Sequence, residues 1–333
     1  MAKSYNEGKN TGQKRKKLIS LFAAILISSL ALWLSFRQIE WSAFKQAFRG
    51  VNYFLILLAT GNSLFTVYAL GWRWRLLLEK EVNLSLNELF RLNIISQYAN
   101  IIMPARLGEL VRAFLLSAER TVSAGYVLGT IAVERFLDLM AFLLLWFSLP
   151  VFFSLEKSFP LSREAYGLGL VALIIVVLLA LRPYFLWRTI VFLSKLVPPG
   201  LRGKFFSLAD GSIRAFGCFR HPGKSSLLLF LTFLLIFFQV LTNFLMLLAF
   251  RLWLPLWAGL AVLLAIQLGN LPPSAPGKIG IFEYAVLLAL GLFSVPREIA
   301  LSYAIMLHAV VFLPKIILGG YYLARLKPEK LKI

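Results

Sequence analysis

The feature that most constrains this chain is a pair of hydrophobic stretches that break in the middle. The first runs Gln97-Tyr98-Ala99-Asn100-Ile101-Ile102-Met103-Pro104-Ala105-Arg106-Leu107-Gly108-Glu109-Leu110-Val111-Arg112, with Asn, Pro, Arg and Glu set inside sequence otherwise suited to lipid. The pattern returns as Gln267 and Asn270, then Pro276-Gly277-Lys278-Ile279-Gly280, then Glu283. Both copies read Gln-x-x-Asn, then Pro-x-basic-Leu/Ile-Gly, then Glu. Matched positions in one order, each copy between apolar segments, mark the cores of two structural repeats.

The apolar arms on either side of these breaks cover residues 89–103, 105–117, 256–271 and 281–293. Each falls short of the roughly 20 residues that a membrane-spanning helix needs. Proline has no N–H to donate and suits the first turn of a helix. The spacing therefore predicts two half-helices meeting in a re-entrant hairpin, once around Pro104 and once around Pro272 to Lys278.

Hydrophobic residues make up 59% of the 333, charged residues 15%, and mean hydropathy is +0.79. A soluble domain is nearer half apolar and a quarter charged, so the chain reads as an all-α polytopic membrane protein. Full spans are expected near 18–36, 52–71, 121–149, 165–181, 226–250 and 299–324, about six in all, besides the two hairpins. The stretch 37–50 reads as a short outer segment with an interfacial helix. Trp72-Arg73-Trp74-Arg75 reads as an aromatic and basic interface anchor. The basic start of the chain followed by an apolar run resembles a signal peptide, but no small-x-small site precedes Arg37, so a retained first helix is expected.

The net charge of +20 points to membrane orientation rather than nucleic acid. Proposed outer segments hold Arg37, Lys45, Arg49, Lys157, Arg163, Arg251 and Arg297; the proposed inner segments, with both tails and 182–224, hold many more. That asymmetry places both termini in the cytoplasm. The layout is a single membrane domain over 18–325, with repeat one at 18–149 and inverted repeat two at 165–325. A cytoplasmic interfacial segment spans 182–224, and basic tails cover 1–17 and 326–333. The single cysteine, Cys218, and two distant histidines, His221 and His308, give no basis for an internal disulfide, a metal site or another cofactor.

Basic residues Arg106, Arg112, Arg135, Lys278 and Lys315 remain at membrane depth, with Glu109, Glu134, Asp138 and Glu283. Each ionised side chain at the bilayer centre costs about 2.5–3.5 kcal/mol on insertion scales, so they must cluster. One reading is ion pairing alone, as for Arg135 with Glu134 or Asp138. The other is a ligand site. Arg106 and Lys278 each follow a Pro-x at the start of a half-helix, where a cation adds to the positive end of the helix dipole and attracts an anion, a phosphate above all. Gly108, Gly277 and Gly280 would let a headgroup approach the backbone. Asn100 and Asn270 suit the unpaired carbonyls of broken helices or headgroup hydroxyls. Glu109, Glu134, Arg135, Asp138 and Glu283 fit charge balance or proton coupling.

Asn100 through Arg112, Val133-Glu134-Arg135-Phe136-Leu137-Asp138 and Pro276 through Glu283 together resemble the family named for the transmembrane region of lysylphosphatidylglycerol synthase. That likeness covers the chain from about residue 18 to 325. It implies a flippase-like, lipid-translocating membrane domain and points to Arg106, Glu109, Glu134, Arg135, Asp138, Lys278 and Glu283. The full synthase carries a soluble aminoacyl-transfer domain after its membrane region. This chain runs only to Ile333, so lysine transfer from tRNA is not expected.

The expected function is therefore non-enzymatic: a cytoplasmic-membrane transporter that moves an anionic lipid between leaflets. The candidate lipids are a phospholipid, an aminoacyl-phospholipid or a polyprenyl-phosphate glycolipid, with the phosphate held near the midplane on Arg106 and Lys278. Two other classes compete. One is a membrane glycosyltransferase using a lipid-phosphate sugar donor, for which Glu40 is the one acid of the first outer segment. The other is a scaffold for a lipid-modifying or glycosyltransferase partner.

Overall fold

A computed structural model describes residues 22–78, 82–103, 107–120, 122–153, 167, 170–171, 174, 222–271 and 275–326. Among them the regular structure is entirely helical. In chain order the helices are α1 (Phe22–Phe36), α2 (Trp41–Ala47), α3 (Tyr53–Leu77), α4 (Leu86–Ile102), α5 (Gly108–Glu119), α6 (Ala124–Phe153), α7 (Pro222–Ala249), α8 (Leu256–Gly269), α9 (Ile281–Gly291) and α10 (Arg297–Ala324). A single 3-10 turn, Pro276–Lys278, precedes α9.

Among the described residues α3, α7 and α10 are long and apolar enough to cross a membrane. The pair α1 and α2, bent by 89°, adds a fourth if counted as one span. The 30-residue α6 carries Glu134, Arg135 and Asp138 in its first half. The expected span at 165–181, apart from four helical residues, and the interfacial segment 182–224 up to α7 lie outside the described residues. Large apolar side chains that a soluble protein would bury are exposed, among them Phe22, Leu57, Phe230, Leu288 and Ile317.

The chain divides into two compact units. Unit 1 takes Met1–Ala59, Ile101–Arg106 and Asn243–Leu313, and unit 2 takes Thr60–Asn100, Leu107–Thr242 and Pro314–Ile333. Each unit thus draws on both of the sequence's proposed repeats.

Unit 1 packs around small side chains. Ala59, Ala249, Ala258, Ala300 and Ala304 are all essentially inaccessible and share one core with Val262, Val286, Leu290 and Leu307. Helices in lipid gain little from burying apolar surface, so close approach on small residues and inter-helix hydrogen bonds carry the association. Asn243 supplies two such bonds: its Nδ2 donates to the Gly259 carbonyl at 3.0 Å and its carbonyl accepts from the Tyr303 hydroxyl at 2.9 Å. These tie α7 to α8 and α10. In unit 2 the Asn62 amide donates to the Phe238 carbonyl at 2.6 Å and to Thr242 Oγ1 at 2.8 Å, joining α3 to α7.

In unit 2, α4 and α5 run back along each other. Ser85 and Glu88 form a reciprocal cap at the start of α4, with Ser85 N–H donating to Glu88 Oε2 at 2.8 Å and Glu88 N–H to Ser85 Oγ at 3.3 Å. At that end Arg91 pairs with Glu119 at 2.5 Å and Arg120 with Glu88 at 2.7 Å. At the other end a Cβ on Gly108 would run into the Ser96 carbonyl of α4. In unit 1, α8 and α9 pair likewise, Gly269 lying against Ile281 and Ala285. Of the four helices, α5, α8 and α9 hold 12, 14 and 11 residues, too short to span, and α4 holds 17, at the lower limit.

One boundary differs from the expectation. Lys278 does not sit in the first turn of α9, which begins three residues later with Gly280 as its N-cap. Gly277 (φ 72°), Lys278 (φ 59°) and Gly280 (φ 89°) all lie in the left-handed region, and that path cannot continue into a right-handed helix.

Gly108→Ala is expected to lower stability by about 1–3 kcal/mol, the usual cost of overpacking against backbone. Gly61→Ala, in the interior of α3 with open space around its Cβ position, should be neutral or stabilising by up to about 1 kcal/mol. Unfolding in mild detergent under a denaturant titration measures both.

Candidate functional site: a charge cluster on α3, α4, α5, α6 and α7

Unit 2 gathers six charged side chains, Arg73, Glu109, Arg112, Glu134, Arg135 and Asp138, into one cluster in two layers. The inner layer centres on Glu134, which is fully buried. Its Oε2 pairs with Arg112 Nη2, and its Oε1 lies 3.9 Å from Arg73 Nη2. Arg112 also donates to Asn93 Oδ1 at 2.6 Å, and its guanidinium lies 4.2 Å from the centre of the Trp74 ring. Arg73 donates to Asp138 Oδ1 at 2.6 Å and to Thr232 Oγ1 at 3.1 Å. Trp74 is held by its own hydrogen bond, Nε1 to Thr130 Oγ1 at 3.0 Å.

The outer layer is Arg135, whose side chain is 48% exposed. Its Nε meets Glu109 Oε1 at 3.0 Å and its Nη1 meets Asp138 Oδ2 at 3.2 Å. Asp138 is thus the bridge, one oxygen on buried Arg73 and the other on half-exposed Arg135. Arg73, Arg112 and Arg135 balance Glu109, Glu134 and Asp138, so the cluster is formally neutral. Its hydrogen bonding is incomplete: Arg73 Nε and Nη2, Arg112 Nε, Asn93 Nδ2 and Glu134 Oε1 are buried without a partner among the described residues. Buried polar atoms of a purely structural network are nearly always satisfied.

Helical spacing explains the convergence. On α4, Asn93, Ser96 and Asn100 fall at i, i+3 and i+7 and so share one face, the face that meets α5. Asn93 holds Arg112, Ser96 abuts Gly108, and Asn100 Oδ1 accepts the Gly108 N–H at 2.8 Å. Asn100 Oδ1 therefore serves the open start of α5. On α6, Glu134 and Asp138 are one turn apart, roughly 15–20 Å along the helix from its start at 1.5 Å per residue.

Arg73 is the residue that sequence reading misplaced. The expectation put it in an interface anchor, but its accessibility is 0% and only Trp72 and Arg75 of that quartet are exposed. The signal was present: Ala69, Arg73 and Leu77 recur every four residues and all are buried. Trp74, placed in the same anchor, is buried as well; Asn93 and Thr232 were unmarked, since nothing local distinguishes a polar residue that meets an arginine from one that caps a helix.

Unit 1 holds a second, smaller arrangement. Glu283 Oε2 accepts the Gly280 N–H at 2.7 Å, capping α9, while Oε1 lies 2.5 Å from His308 Nδ1 on α10. The Phe282 and Phe312 rings flank the imidazole at 4.6 and 4.2 Å between centres. Lys278 is half-buried two residues before Gly280, and a Cβ on Gly280 would strike the Ser28 carbonyl of α1. Both motif glycines, Gly108 and Gly280, thus have protein backbone in the space beside them. Asn270 forms the C-cap of α8, and its Nδ2 donates to Gln267 Oε1 at 3.1 Å. Arg106 lies outside the described residues. Glu40, exposed at the N-cap of α2, accepts from the Ser42 hydroxyl at 2.6 Å.

Glu134→Ala would leave two buried guanidiniums short of their shared carboxylate and should cost about 3–5 kcal/mol. Arg135→Ala, at a half-exposed pair, should cost no more than about 1 kcal/mol. Denaturant titration of both variants in detergent checks the contrast.

A UPF0104 membrane protein of Methanocaldococcus jannaschii is 25% identical to this chain over 227 residues, which covers 67% of the chain and 92% of the relative. No solved structure matches the chain. The family described as the lysylphosphatidylglycerol synthase transmembrane region matches residues 21–319, and so the chain, an integral membrane protein of apolar helices with a charged interior, belongs to that family.

Proposed function

We propose that this protein moves an anionic lipid between the leaflets of the cytoplasmic membrane. The observation that carries the reading is Arg135: a half-exposed guanidinium on a long apolar helix, clamped by two carboxylates and backed by a buried, incompletely satisfied set of charges. A cation so placed would be costly against lipid tails, and intramembrane charges mark substrate pathways by default. A phosphate could displace Glu109 or Asp138 from Arg135, and the negative charge it adds to a neutral cluster suits transient binding. Membership of a family named for the membrane region of a lipid-modifying synthase supports a lipid as the substrate class.

In this reading α4–α5 and α8–α9 are the two re-entrant hairpins of an inverted repeat, and both termini are cytoplasmic. The likeness of the two motif glycines supports the repeat. Each has its N–H held by a side-chain oxygen, from Asn100 or Glu283, and each lies against a serine carbonyl. Arg106 and Lys278 are the further phosphate ligands proposed, one from each hairpin. Gly277, whose Cβ side faces only the Ile279 side chain, leaves backbone near Lys278 open to a headgroup. The lipid's acyl chains stay in the bilayer while its headgroup crosses.

The test is lipid movement in proteoliposomes carrying fluorescent phosphatidylglycerol, read by quenching of the outer leaflet. Wild type should move the lipid faster than empty vesicles. Arg106→Ala, Lys278→Ala and Arg135→Ala should each slow it by tenfold or more, about 1.4 kcal/mol, while remaining folded. Unchanged rates in all three variants would sink the proposal. Sugar transfer from a lipid-phosphate donor without lipid movement would point to a glycosyltransferase instead.

A further inference from the structure

We propose that Glu283 and His308 form a proton-binding pair coupled to the binding of a phosphate at Lys278. The inference rests on the lipid-transport reading and supplies that reading with an energy source. The pair is built for one mobile proton. Glu283 is fixed by its bond to the Gly280 N–H, so its carboxylate stays at the start of α9 whichever state His308 adopts. The imidazole is fixed by the 2.5 Å contact through Nδ1 and by the two flanking phenylalanine rings. With Nδ1–H donating to Glu283, an incoming proton lands on Nε2 and changes the pair's net charge from −1 to zero. At 15% and 7% side-chain exposure, His308 and Glu283 are reachable yet poorly screened.

The surroundings let that one charge matter. Neither α1 nor α8 contains an ionisable residue, and none occurs in the Asn243–Ala249 end of α7. On α9 and the turn before it the remaining groups are Lys278 and Tyr284; on α10 within two turns of His308 they are Tyr303, whose hydroxyl donates to the Asn243 carbonyl, and Lys315. Lys278 precedes by two residues the Gly280 N–H that Glu283 holds. A phosphate monoanion on Lys278 is repelled by Glu283 while His308 is neutral, and protonation of His308 removes that repulsion. Phosphate binding and uptake of one proton therefore favour each other, reciprocally. The proton leaves Nε2 when the phosphate leaves.

The chain has two histidines, so His221→Asn leaves His308 as the single imidazole for nitrogen NMR in nanodiscs. At pH 7 its protonated fraction should rise about threefold or more on replacing phosphatidylcholine with phosphatidylglycerol, and Lys278→Gln should abolish the rise. A fraction that is the same in both lipids, or that rises equally without Lys278, overturns the coupling. In proteoliposomes with a trapped pH dye, wild type should carry one proton per lipid, and His308→Gln should move lipid more slowly with none. Proton movement that persists in His308→Gln also overturns it. Vesicles that show no lipid movement would instead remove the transport reading, while the NMR result stands or falls by itself.

Discussion

Glu134 is fully buried and faces two arginines, Arg112 on one oxygen and Arg73 near the other. Neither cation is tolerable in an apolar interior without a counter-charge, because desolvating an ion costs several kcal/mol even after relaxation. The carboxylate therefore fixes where α3, α5 and α6 meet. Asn93 on α4 takes an N–H of Arg112 and Thr232 on α7 takes one of Arg73, and other guanidinium N–H groups stay without a partner among the described residues. A neutral sum of three cations and three anions allows so many charges to persist inside a molecule whose exposed surface is largely apolar. The same balance leaves Arg135 at the cluster's edge, engaged by carboxylates yet reachable.

The helical pairs α4–α5 and α8–α9 follow from a different constraint. A broken helix inside lipid exposes unpaired N–H and C=O groups that water cannot satisfy. The sequence meets that demand with short-range polar side chains: Asn100 for α5, Glu283 for α9 and Asn270 at the end of α8. The glycines then permit close approach, Gly108 to α4 and Gly280 to α1. Their role in the described structure is contact between helices, while a Cβ on Gly277 would meet the Ile279 side chain rather than backbone.

The two units handle charge in contrasting ways. In unit 2, three arginines are set against three carboxylates, so charge is balanced within the cluster. In unit 1 the only partner bonded to Glu283's Oε1 in the described structure is an imidazole, that of His308.

The break points, the short arms and the polar positions of both motifs were legible in the sequence, because helix length against bilayer thickness and the missing N–H of proline are local properties. The apolar arms read from 256 and 281 begin where α8 and α9 do, although Lys278 was expected in the first turn of the second. Glu109, Glu134, Arg135 and Asp138 were marked by the cost of charge among apolar residues. Partner choice was not local. Glu134 adjoins Arg135 in sequence yet pairs with Arg112, because neighbours on a helix point about 100° apart and only Glu134 turns inward. Arg73 looked like an anchor beside Trp72 and Arg75 until the fold set its stripe against α6 and α7. The link from His308 to Glu283 spans two helices, and only the packing of α10 on α9 decided it.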